Sequence, residues 1–183
     1  MSGQEITAPE WSSDEWINTR ECHELSEFHG KVVMLHAFQM LCPGCVTHAL
    51  PQAQRVWDTF SHDDVMVVGL HTVFEHHDAM TPTALRAFVH EFRLTFPIAI
   101  DRPAKSGGIP LTMNSYGMRG TPTLVLIDQR GMIRHHSFGR IDDLTLGAEL
   151  ASLMADSRSE LVSHDKEPGT SQGCSKESCA TPA

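Results

Sequence analysis

The stretch that most constrains this chain is Val32-Val33-Met34-Leu35-His36-Ala37-Phe38-Gln39-Met40-Leu41, which runs directly into Cys42-Pro43-Gly44-Cys45. An unbroken apolar run of strand length suits a strand buried on both faces of a sheet. A helical pattern follows, so the Cys-x-x-Cys falls on a strand-to-helix turn. Cys42 then stands near the helix N-cap and Pro43 at the first helical position, where its missing N–H costs nothing. A helix N-terminus presents unpaired N–H groups and a positive dipole end, which favour a thiolate over a thiol. Cys45, one turn further in, is less exposed and near enough to close a disulfide. The expected roles are Cys42 as attacking thiolate and Cys45 as resolving thiol.

The rest of the chain narrows the setting. A length of 183 residues accommodates one well-cored domain plus a tail. A net charge of −9, with no basic run, argues against nucleic acid or an anionic membrane as partner. Residues 1–18 are polar and acidic with no apolar segment of the secretory kind, and no stretch reaches the apolar length of a membrane span. These features lead to the expectation of a cytoplasmic protein. Five cysteines is an odd count, which disfavours a closed framework of structural disulfides. In a reducing compartment a Cys-x-x-Cys is catalytic or metal-binding more often than structural.

In order along the chain, residues 1–21 read as an extended lead-in and residues 22–155 as the domain. Residues 156–183 read as a polar, disordered tail carrying Cys174 and Cys179. Cys22 is either a small, partly buried residue or a second redox partner. Val46–Phe60 has the single-faced apolar spacing of a helix, with a kink expected at Pro51. Val65–Val73 reads as a second buried strand. Thr81-Pro82 opens a helix as N-cap and first position, with Leu85, Phe88, Val89 and Phe92 on its apolar face. Phe96–Ile100 is a short strand, Leu111–Tyr116 a helical turn, and Thr123–Asp128 with Met132–Phe138 a hairpin about Gln129-Arg130-Gly131. Leu144–Met154 closes the domain as an amphipathic helix. Strands alternating with helices describe a mixed α/β sheet covered on both faces, with the reactive turn at the carboxyl end of a central strand.

Two motifs in this order resemble the thioredoxin superfamily, and within it the TlpA-like or redoxin disulfide oxidoreductases. One is the strand with Cys42-Pro43-Gly44-Cys45. The other is Tyr116-Gly117-Met118-Arg119-Gly120-Thr121-Pro122-Thr123-Leu124-Val125-Leu126-Ile127-Asp128. The resemblance spans about residues 14–155, and the added strand and helix around Val65–Arg93 match the insertion typical of TlpA-like members. It implies a thioredoxin-like fold and a thiol–disulfide oxidoreductase that exchanges the Cys42–Cys45 pair with protein or small-molecule disulfides. It also implies an upstream electron donor or acceptor and no cofactor. A cis Thr121–Pro122 bond is implied too, with Thr121 and Pro122 presenting the substrate beside Pro43 and Gly44 and Pro122 keeping metal from the thiols. Two departures stand out: Leu41 replaces the usual tryptophan, and Pro43-Gly44 reverses thioredoxin's order. His36 occupies the position, six residues before Cys42, where thioredoxin has a buried acid. It is either the base that serves Cys45 or a core histidine.

Other readings are weaker. Peroxiredoxins share the fold, but their proline and hydroxyl positions before the reactive cysteine are here Leu35 and Gln39. A non-catalytic binding module has no need of both thiols. A zinc site built from Cys42, Cys45, Cys174 and Cys179 requires the tail to dock on the turn. Cys174 and Cys179 are otherwise either an electron relay to Cys42–Cys45 or incidental. The adjacent pairs His76-His77 and His135-His136 read as loop and strand surface, because neighbours on a strand point to opposite faces.

Overall fold

The computed structural model describes residues 6–21, 23–105 and 107–164, with side chains up to Asp156. Cys22, Cys174, Cys179 and the segment 165–183, on which some of the expectations above fall, lie outside the described residues. One mixed sheet of seven strands organises the chain. The strands are β1 (Ile6–Thr7), β2 (Glu15–Ile17), β3 (Val32–Phe38), β4 (Val65–His71), β5 (Ile98–Ile100), β6 (Thr123–Ile127) and β7 (Met132–Phe138). Their order is β1-β7-β6-β3-β4-β5-β2. β3 lies at the centre, parallel to β4 and antiparallel to β6.

Every residue of β3 is buried, as its unbroken apolar run requires. Its alternation divides the core in two. Val32, Met34 and Phe38 enter a cluster with Leu50, Ala53 and Val56 of helix α1 (Leu50–Thr59), Leu85 and Val89 of α2 (Pro82–Glu91), and Leu146, Leu150 and Leu153 of α4 (Asp143–His164). Val33, Leu35 and Ala37 enter the opposite cluster with Trp11, Trp16, Phe28 and Met113, the last from α3 (Leu111–Ser115). Thr81 caps α2 by accepting the Ala84 N–H at 3.2 Å, with Pro82 following it. The β6–β7 hairpin closes through Gly131, whose φ of 81° suits a residue without a Cβ.

The lead-in does more than approach the domain, since β1 pairs with β7 and β2 with β5, one at each edge of the sheet. The helix after Cys45 also differs from expectation. Just before Pro51 the chain widens into a π-helical turn over Cys45–Ala49, where the Leu50 N–H reaches back to the Cys45 carbonyl. Pro51 has no N–H to give, and the wider turn places it near the start of a regular helix instead of inside one. The last helix extends beyond Met154 to His164.

At the middle of β4, Gly69 leaves room for its neighbours. A Cβ there would stand 2.9 Å from Phe96, 3.1 Å from Ile98 and 3.2 Å from Phe38. Gly69→Ala therefore overpacks the core and lowers stability by about 1–3 kcal/mol, read as a lower denaturant midpoint at an unchanged m-value.

Candidate active site

β3 and the turn that follows it deliver Cys42 to the carboxyl edge of the sheet, and the first helical residue is Pro43. Cys42 and Cys45 are both free thiols, Cys42 partly exposed and Cys45 buried. The Cys42 Sγ receives the Cys45 backbone N–H at 3.3 Å and approaches the Thr121 carbonyl at 3.4 Å. It thus stands between a helix-start amide and the turn that precedes β6. The Thr121–Pro122 bond is cis. Pro122 in turn packs on the first helical turn: a Cβ built on Gly44 would stand 3.4 Å from Pro122 Cδ. Residues 79 positions apart in the chain are therefore in direct contact at the thiols.

Burial separates the two cysteines chemically. It pushes the Cys45 thiol up to about 12, helped by its hydrogen bond with Cys42, while the Gln39 backbone works in the opposite direction. Cys45 is accordingly held as a thiol near neutral pH and needs a base before it can attack.

His36 lies on the face of β3 that also carries Met34 and Phe38, the side of the sheet on which Cys45 is buried. It is 2% exposed, and its Nδ1 is buried without a hydrogen-bond partner. Burial holds its pKa down at about 4, against a backbone hydrogen bond at Thr123 that pulls upward. His36 and Pro122 line one cavity of about 70 Å³, together with Gln52, Arg55, Arg140 and Asp143. The structure therefore gathers Cys42, Cys45, Pro43, Gly44, Thr121 and Pro122 into one cluster, with His36 behind it on the cavity side.

Two residues that nothing in the sequence singles out, Phe138 and His71, stand with Leu41 and the paired histidines of β7 in the surroundings of the site. Leu41 is 57% exposed beside Cys42, and Phe138 is 61% exposed. The Phe138 ring lies over Gly120, 2.9 Å from where a Cβ would stand. Leu41 and Phe138 both leave large apolar side chains open to solvent. A second buried histidine, His71 on β4, packs against Phe38 with the rings tilted by 51° and their centroids 5.3 Å apart. The paired histidines of β7 point apart: His135 Nδ1 meets Glu149 at 3.0 Å, and His136 Nε2 meets the Tyr116 carbonyl at 3.1 Å. Among the described residues no group of three or more His, Cys, Asp or Glu side chains is placed to hold a metal. Among the same residues no helix is long and apolar enough to cross a membrane.

Comparison with known proteins places this arrangement. Residues 6–136 match the AhpC/TSA family model. A solved thioredoxin-like superfamily protein is 52% identical, covering 81% of this chain and 96% of its own, with a TM-score of 0.79. A thiol-disulfide isomerase from Corynebacterium glutamicum is 46% identical, covering 80% of this chain and 96% of its own, with a TM-score of 0.77. The thiol-disulfide oxidoreductase ResA of Halalkalibacterium halodurans is 26% identical over 125 residues, 68% of this chain. The chain spans 64% of the length of that relative. With most of the chain matched by the family model and nearly all of a 52% identical structure covered, the chain belongs to the AhpC/TSA family of the thioredoxin-like superfamily.

Proposed function

We propose that this protein is a thiol–disulfide oxidoreductase whose working group is the Cys42–Cys45 dithiol. The observation that carries the reading is the asymmetry of the pair: a partly exposed Cys42 at the helix start, bonded to Thr121, over a buried Cys45. The Cys42 thiolate attacks a substrate disulfide and forms a mixed disulfide. Cys45 then loses its proton to His36 and attacks the Cys42 sulfur, releasing the substrate as a thiolate and leaving Cys42–Cys45 oxidised. Thr121 and Pro122 present the substrate, with Pro43 and Gly44 forming the opposite wall. The apolar surface of Leu41 and Phe138 favours a disulfide carried on a polypeptide. The thiol-disulfide isomerase and ResA similarities support the same chemistry.

The test is a redox titration of the reduced protein in glutathione buffers, with thiol trapping and mass readout. The reading requires a single two-electron transition that links Cys42 to Cys45. A midpoint near about −270 mV makes the protein a reductant fed by an electron donor in a reducing compartment, and one near about −120 mV makes it an oxidant. Cysteines that remain unlinked across that whole range sink the reading. A parallel exposure to peroxide separates the thiol-peroxidase alternative, which requires Cys42 to be lost far faster than a free thiol in solution.

A further inference from the structure

Arg140 is placed by the substrate turn itself. The Gly139 N–H donates to the Pro122 carbonyl at 2.8 Å. Arg140 follows, exposed to solvent and lining the cavity of about 70 Å³ that Pro122 also lines. His48, exposed on the turn after Cys45, and Arg55 of α1 line the same cavity. Three basic side chains thus border one side of the turn that lies against Cys42.

The chain as a whole is acidic, with 23 Asp and Glu against 14 Lys and Arg, so a basic wall at this point is a local reversal of charge. The carboxylates beside it are already engaged. Asp143 accepts Gln52 Nε2 at 2.7 Å and Arg55 Nη2 at 2.9 Å. The Gln52 hydrogen bond leads the causes that hold its carboxyl below the usual range. Asp142 turns into the first turn of α4, where it accepts the Thr145 N–H at 3.0 Å and the Thr145 hydroxyl at 2.5 Å. Arg55 is therefore offset by Asp143. Arg140 helps to lower Asp143 through its charge, yet among the described residues it stands in no ion pair. Its guanidinium offers five N–H donors, and it is the unanswered charge of this wall.

Size and place decide what that charge can take. A volume of about 70 Å³ is the room of about two waters at roughly 30 Å³ each. It admits a carboxylate and excludes an aromatic ring. The Cys42 Sγ stands 3.4 Å from the Thr121 carbonyl, and Pro122 is the next residue. At about 3.3 Å per extended residue, a group in the cavity lies one or two residues along the substrate from the reacting sulfur. Arginine holds a carboxylate there through charge-assisted, paired N–H donors.

We propose that the cavity beside Pro122 is a specificity subsite, in which Arg140, seconded by His48, takes the carboxylate of an aspartate or glutamate within two residues of the substrate cysteine. The proposal rests on the exchange reading above and names the polypeptides it serves, those whose disulfide has an acidic neighbour. Such a neighbour repels the attacking Cys42 thiolate, a cost that pairing with Arg140 offsets. Arg140 moves no proton or electron. Its effect is on binding, so it appears in KM.

The experiment uses the reduced full chain and symmetrical disulfide dimers of a short Gly/Ser peptide. Each peptide carries one cysteine and one variable neighbour, Glu, Gln or Lys, placed before or after it. Thiol trapping with mass readout follows oxidation of Cys42–Cys45. Each rate is divided by that of a free dithiol with the same peptide, which removes the peptide's own reactivity. The Glu peptide is expected to exceed the Gln peptide by about fivefold, the upper end of what one exposed ion pair supplies, through a lower KM. It exceeds the Lys peptide by about tenfold, and both ratios shrink in about 0.5 M salt. Arg140→Gln brings the ratios to about one and Arg140→Glu reverses them, while Arg140→Lys keeps part of the preference. Arg119, exposed two residues before Thr121 but outside the cavity, is the control: Arg119→Glu keeps the order of the three peptides. Equal normalised rates in the unmodified chain, an order that survives Arg140→Glu, or a reversal by Arg119→Glu overturns the proposal. Dithiodiglycolate against cystamine supplies a small-molecule arm. A charge preference there with none among the peptides overturns the assignment to a polypeptide. Cysteines that stay unlinked with every peptide, Gln and Lys included, overturn the exchange reading instead.

Discussion

Cys42→Ser lowers exchange with a disulfide substrate by about a thousandfold or more, whereas Cys45→Ser retains the first chemical step and accumulates mixed disulfides. The two outcomes differ because the cysteines occupy different environments. The Cys42 Sγ is partly exposed, accepts the Cys45 N–H at 3.3 Å, and stands 3.4 Å from the Thr121 carbonyl. A hydroxyl in the same place is far less acidic and far less nucleophilic than a thiol, and losing the nucleophile costs most of the rate. Cys45 is fully buried and pushed up to about 12, so it neither reaches substrate nor attacks first. Removing it leaves the Cys42–substrate bond with no internal thiol to break it. The check is non-reducing mass spectrometry of each variant incubated with a disulfide-bearing polypeptide. An adduct on Cys42 in Cys45→Ser, and none in Cys42→Ser, is the expected pattern. Full activity in Cys42→Ser, or adducts on Cys45 in that variant, would reverse the assignment.

What the sequence made legible was whatever depends on near neighbours. The apolar run of β3 dictates a strand buried on both faces, and Cys42-Pro43 at its end dictates a helix start, since both follow from local sterics and burial. Thr81-Pro82 is readable for the same reason. The Thr121–Pro122 turn came from the resemblance rather than from spacing, because nothing local brings residues 79 positions apart to the thiols. The position of His36 was readable as a spacing, but its cavity was not. Gln52, Asp143 and Ile141 meet across 89 to 91 positions, and only the packing of α1 on α4 brings them together. Pro51 signals a break in the helical ladder, but not that the chain widens one turn earlier, an adjustment that depends on the missing N–H together with the tertiary position of the Cys45 turn. The edge strands β1 and β2, of two and three residues, are too short to carry a period, so their pairing was invisible until the sheet was seen.

Acid should unfold this protein through two histidines well before its carboxylates are protonated. His36 and His71 are 2% and 1% exposed, and burial holds both at about 4, against 6.5 for a free imidazole. Nδ1 of His36 and Nε2 of His71 have no partner to stabilise a charged ring. Between pH 6.5 and about 4 the unfolded chain takes up protons at both rings while the folded chain does not, so protons favour unfolding. The stability associated with the neutral rings is fully present above pH 6.5 and is lost as the pH falls toward 4. At a little over 1 kcal/mol per pH unit, the loss is on the order of 3 kcal/mol for each ring. Both together approach the whole stability of an ordinary domain. Asp128 does not share this window. Burial pushes its carboxyl up, but hydrogen bonds from Met132, Arg134 and Arg130 outweigh that and hold it below the usual range. It therefore stays ionised until more acid conditions. Urea unfolding at about pH 7.5 and about pH 4.5 measures the effect, and His71→Leu should remove roughly half of the difference. His71 is the cleaner probe because it packs on Phe38 and does not line the cavity beside Pro122. A stability that stays flat across this interval with a constant m-value would mean that the rings accept protons in the folded state, and that His36 is better hydrated than its burial implies.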